Sequence, residues 1–173
     1  MATAPTSAQA ASASATFTVD STEDAVDADA SDGLCRTVGG TCTLRAAVMA
    51  ANTQPGSTIE LPAAHYRLTI PPNPDQLNSR TADPTKGDLN ILEPTTIRGA
   101  GARETIIDAD HIDRVFRMGA DTQLSDLTIT GGDAKQREVP ITDPGGGGIA
   151  NGKHMTLRRV TAEAASSTSP TPT

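Results

Sequence analysis

The feature that most restricts this chain is a pattern that returns. Thr95-Thr96-Ile97-Arg98, Leu127-Thr128-Ile129-Thr130 and Val160-Thr161-Ala162-Glu163 align at offsets of 32 and 33 residues, and Gln123-Leu124-Ser125-Asp126-Leu127 matches Thr156-Leu157-Arg158-Arg159-Val160. Within the first period, strand-like pieces begin near residues 95, 105, 114 and 123, the spacing that three short sides per turn would give. A β-sandwich has no reason to repeat at this length. A coil does, because each strand stacks on its equivalent one turn later. The alignment predicts an inward column of Ile97, Ile129 and Ala162 and an outward column of Thr96, Thr128 and Thr161.

The rest of the chain has the same texture. Short β-rich pieces are expected at 16–19, 58–61, 66–70, 89–92, 95–98, 105–108, 114–118, 123–130, 148–150 and 155–162, most of them separated by Gly, Asp, Asn or Pro. One helix is expected at 43–52: Leu44, Ala47, Val48 and Ala51 fall at i, i+3, i+4 and i+7, with Thr43 as N-cap and Asn52 as stop. Leu, Ile, Val and Phe number only 29 of 173 residues, too few for a Leu-rich bundle but enough for a thin core. The fold class expected is all-β: a right-handed parallel β-helix (β-solenoid) of few coils with one N-terminal capping helix. Residues 1–15 read as an Ala/Ser-rich leader or signal-peptide remnant, 16–56 as the cap, 57–163 as the coils, and 164–173 as a Ser/Thr/Pro low-complexity tail.

Composition removes several functions. One Tyr, two Phe and no Trp leave no stacking platform for sugar rings or unpaired bases. A net charge of -7, with six acids and no Lys or Arg before Arg36, makes nucleic acid a poor partner. No apolar run approaches the roughly 18 residues of a membrane helix.

Phe17-Thr18-Val19, the Asp-rich stretch ending Asp32-Gly33-Leu34-Cys35, and Cys42-Thr43-Leu44-Arg45-Ala46-Ala47 followed by Ala51-Asn52 resemble the CSLREA domain, an N-terminal module of secreted or surface bacterial proteins. Such proteins continue into right-handed parallel β-helix, pectin-lyase-like repeats. Gly87-Asp88-Leu89, Thr96-Ile97-Arg98-Gly99-Ala100-Gly101, Thr105-Ile106-Ile107-Asp108, Leu124 to Gly132 and Gly146 to Asn151 resemble their first coils. Thr43 stands where the name motif has Ser, and Ala46-Ala47 where it has Glu-Ala. The resemblance implies a short or truncated member, secreted or at the cell surface.

In a secreted protein, Cys35 and Cys42 enclose a ring suited to a local disulfide; free or metal-bound thiols are the alternatives. Asp27, Asp29 and Asp32 before Gly33 offer alternating oxygens for calcium, against the simpler reading of a solvated acidic loop. Asp108, Asp110, Asp113 and Arg114, with His111, gather carboxylates and a base around one turn, the groups a polysaccharide lyase of this architecture uses. Asp residues capping strand ends and pairing with Arg explain that turn without catalysis. Gly145 to Gly148 and Gly99-Ala100-Gly101 lack a following helix and read as turns, not phosphate cradles. The function favoured is a non-catalytic extracellular module, structural or adhesive, binding a surface polysaccharide or other cell-surface ligand; the alternative is a lyase or hydrolase of the pectin-lyase-like fold. No cofactor beyond calcium is indicated. Leu157 and Val160 in the last strand predict self-association through an open C-terminal coil.

Overall fold

The computed structural model describes residues 14–73, 82–133 and 147–163; nearly all of the leader, residues 134–146 of the loop and the whole tail lie outside the described residues. The elements follow the sequence pattern closely: β1 (Thr16–Thr18), α1 (Leu44–Ala51), β2 (Ser57–Leu61), β3 (Ala64–Arg67), β4 (Leu89–Ile91), β5 (Thr95–Gly99), β6 (Thr105–Asp108), β7 (Phe116–Met118), β8 (Thr122–Thr130), β9 (Ile149–Asn151) and β10 (Met155–Ala162). The eight strand pairings are all parallel. Among the described residues the fold is all-β in character, with one short helix.

Strands stack in three rows. The first runs β1, β2, β5, then the first half of β8 and of β10. The second runs β3, β6, then the second halves of β8 and β10. The third is β4, β7 and β9. β8 and β10 serve two rows because each bends at one residue held at positive φ, Asp126 (59°) and Arg159 (52°). A left-handed residue inside a strand turns the chain through a corner.

Alternation places the apolar side chains inside. Phe17, Ile59, Ile97, Leu124 and Leu157 occupy one stacked column, and Tyr66, Ile107, Ile129 and Ala162 a second. Ile59, Ile97, Ile107 and Ile129 are fully buried, each stabilising the fold by about 1.5–3 kcal/mol on transfer grounds. The register corrects the sequence alignment in its first period. Ile97 stacks on Leu124, a step of 27 residues, not on Ile129. Ile129 stacks on Ile107 in the neighbouring row. β5 and β6 are joined by a loop, whereas β8 makes the same corner with one residue, so the sequence match crossed from one row to the next. The second period stands as read, with Leu127 over Val160 and Ile129 over Ala162. Thr128 lies on the outer face, as alternation requires, but is covered there by the loop between β5 and β6, its hydroxyl donating to the Ala102 carbonyl.

Helix α1 closes one end. The Thr43 side chain accepts from the Ala46 N–H (3.1 Å) and donates to the Ala25 carbonyl (2.6 Å), satisfying the first turn. Ala46, Ala47, Ala50 and Ala51 are fully buried, and their small size lets the helix lie close against β1, β2 and β4. Asn52 does more than stop the helix: its amide donates to the Asn90 carbonyl and accepts from the Leu92 N–H, both at 2.8 Å. It thereby satisfies the outer edge of β4 as a neighbouring strand would.

Candidate functional site

The acidic loop is occupied by its own backbone. Asp27 is buried, and its two carboxylate oxygens accept the N–H groups of Asp29 (2.9 Å) and Arg36 (3.1 Å). Asp29 accepts from both the backbone and hydroxyl of Ser31, which holds its carboxyl below the usual range. Asp32 accepts from Leu34 N–H and faces the Arg36 guanidinium at 3.6 Å. The three predicted calcium ligands thus shape three consecutive turns. Among the described residues, no group of three or more His, Cys, Asp or Glu side chains is placed to hold a metal ion.

Cys35 and Cys42 form a disulfide, with Cα atoms 5.1 Å apart. It ties the end of the acidic loop to the residue before the helix N-cap. Loop-entropy arguments give so small a ring on the order of 2–3 kcal/mol at most.

Beside it lies a buried ion pair that the sequence reading did not single out. Arg45, the one charged residue of α1, is wholly buried; its Nε and Nη2 donate to the two carboxylate oxygens of Asp24 at 2.6 and 3.2 Å. Arg45 also donates to the carbonyls of Pro84 (3.2 Å) and Gly87 (2.8 Å). Asp24 further accepts the N–H groups of Thr69 (2.7 Å) and Ile70 (2.9 Å). The pair ties α1 to the chain on both sides of the segment between β3 and β4, at 69–70 and at 84–87. An Arg on an otherwise small, apolar helix was the available signal; Asp24 was hidden among six similar acids.

The predicted catalytic group divides in two. Asp108 and Asp110 point to the outer surface, where His65 meets Asp108 at 3.3 Å and Arg67 donates to Asp110 at 2.5 Å. The Arg67 hydrogen bond draws the Asp110 carboxyl below its usual range, and Arg67 is raised in return. Gly131 supports this corner: at φ 66°, it leaves the space in which a Cβ would meet the Asp108 carboxylate. Asp113 and Arg114 are buried; Asp113 accepts the N–H groups of Asp88 (3.3 Å) and Arg114 (2.8 Å). The four therefore differ in exposure, Asp108 and Asp110 being open to solvent and Asp113 and Arg114 buried.

A shallow groove lies elsewhere on the surface. On the outer face of the first row, a groove of about 260 Å³ is lined by Thr96 and Arg98 of β5, by Gln123, Leu124, Ser125 and Asp126 of β8, and by Thr156, Arg158 and Arg159 of β10. Register explains it. Thr96, Gln123 and Thr156 stack in one outward rank, and Arg98, Ser125 and Arg158 in the next. Arg159 is held by both oxygens of Asp126, whose carboxyl is drawn below its usual range by that hydrogen bond. Arg98 faces Glu60 at 3.6 Å on the exposed surface. Strand alternation and the step of 33 residues already aligned β8 with β10 in the sequence; Arg98 was misplaced by the first-period register. No protein-family model, curated protein or solved structure matches the chain. Among the described residues, no helix is long and apolar enough to cross a membrane.

Proposed function

We propose that the chain is a non-catalytic extracellular module, a right-handed parallel β-helix with a CSLREA-like cap, that serves as a rigid adhesive platform for a surface polysaccharide. The observation that carries this reading is the outer face of the first row, where polar side chains from successive strands stand in register beside a groove. Such a face holds its donors and acceptors at fixed spacing without ordering a loop on binding. The Cys35–Cys42 disulfide is compatible with an oxidising compartment. The division of Asp108 and Asp110 from Asp113 and Arg114 weighs against a lyase, which needs its carboxylates and base on one substrate.

Incubating the chain with polygalacturonate or alginate, while following the near-ultraviolet absorbance of unsaturated product, separates the two readings. The expected result is no turnover, together with retention on an immobilised polysaccharide. Turnover that Asp110→Asn abolishes in a folded chain would establish the lyase instead.

A further inference from the structure

We infer that the groove between β5, β8 and β10 is a subsite for an anionic substituent of a sugar chain, a carboxylate or a sulfate, held between Arg98 and Arg158; this rests on the adhesive reading above. Arg98 and Arg158 stand in one outward rank with Ser125 between them. Two strand spacings put their Cα atoms about 10 Å apart, close enough for both guanidinium groups to lean over Ser125 and meet on one anion.

The electrostatics favour such a guest. Of the three arginines lining the groove, Arg159 is consumed by its two-oxygen contact with Asp126. Arg98 has only the long, exposed contact with Glu60, an arrangement of little energetic weight. Arg158 is exposed, and among the described residues no acidic side chain forms an ion pair with it. Arg98 and Arg158 therefore line the same small space, where Asp126 attracts Arg158 but is already bound through both oxygens by Arg159, and Glu60 makes only a long contact with Arg98, on a chain whose net charge is -7. Thr96, Gln123 and Thr156 supply hydroxyl and amide groups along the adjoining rank, where the neutral ring of the sugar would rest. The absence of Trp, Tyr or Phe from the lining places recognition on charge and hydrogen bonds rather than ring stacking.

The net charge also makes the proposal testable, because the molecule as a whole repels polyanions and diffuse attraction cannot imitate a site. Three probes suffice with the full chain: dextran, dextran sulfate and polygalacturonate, with binding followed by calorimetry. Retention of dextran sulfate, polygalacturonate or both, but not dextran, is expected. Whichever is retained identifies sulfate or carboxylate as the substituent. Arg98→Ala and Arg158→Ala should each weaken binding about tenfold or more, Arg158→Lys should restore part of it, and Arg103→Ala, an exposed arginine outside the groove, should leave it unchanged. Dextran bound as tightly as dextran sulfate would overturn the subsite and leave the adhesive reading intact. Equal losses in the Arg103 and Arg158 variants would overturn it as unspecific attraction. Failure to retain any of the three polymers would remove both the subsite and the reading beneath it.

Discussion

At the scale of single residues, charges inside this fold are structural and charges outside it are local. Arg45 and Asp24 lie in the interior with nearly all their hydrogen-bonding capacity used, so removing one partner strands the other. Breaking such a buried pair from one side costs about 3–5 kcal/mol. Urea denaturation of Asp24→Asn or Arg45→Met should show a midpoint displaced by a loss of that size; a midpoint within experimental error of the parent would refute the structural role assigned to the pair. The surface pairs behave differently. Asp110 and Asp126 are held below their ordinary value of 3.8 by hydrogen bonds from Arg67 and Arg159. Their contribution is therefore fully present above that value and disappears as pH falls through the lowered folded values. From these two groups, the thermal midpoint should be level near neutrality and decline only below about pH 3.8, and Asp126→Asn should make the decline shallower. A midpoint that falls equally steeply in the variant would contradict that assignment.

At the scale of elements, α1 is the piece whose loss should be felt most widely. Val48 is fully buried between the helix and the strands it covers. Val48→Asp would place an unpaired charge there, and circular dichroism should report lost β signal and a lower thermal midpoint. An unchanged spectrum and midpoint would show that the cap is dispensable. The helix was legible in the sequence because the i, i+3, i+4 spacing, the N-cap and the stop all agree at residues 43–52. The strands were legible because alternation and punctuation by Gly, Asp and Pro mark them, most to within a residue or two, although β3 lies at 64–67 rather than 66–70 and β7 begins at Phe116 rather than at 114. What the sequence concealed was the corner. One left-handed Asp126 does for β8 what a loop does between β5 and β6; Asp adopts that conformation more readily than most residues, but in a chain this rich in Asp the preference marks no single position. The mistaken first-period register followed from it, and with it the failure to see Arg98 and Arg158 as neighbours. The part played by Asn52 was half visible: its place at the helix end could be read, whereas its amide bonds to Asn90 and Leu92 depend on tertiary contact.

At the scale of the whole molecule, the two ends of the stack are treated unequally. The helix covers the β1 end, while β10 pairs only with β8 among the described residues, leaving Leu157 46% exposed over the column that buries Leu124. Such an edge is expected to associate with a second copy at high concentration, although Arg158 and Arg159 limit the approach of like surfaces. Light scattering across a concentration series should show an apparent mass that rises, and less so for Leu157→Lys. A constant monomeric mass in the parent chain would refute this expectation. The same inequality governs the order of assembly. Arg45 and its partners at Pro84 and Gly87 are separated by 39 and 42 residues of chain, and Asp24 reaches Ile70 across 46. During synthesis from the N-terminus, the cap is made first but cannot be finished; its guanidinium must wait, hydrated, until the next turn of chain arrives to desolvate it. The helix that looks like a starting point is therefore expected to close late, as a latch, once the long-range pairings on which it waits have formed.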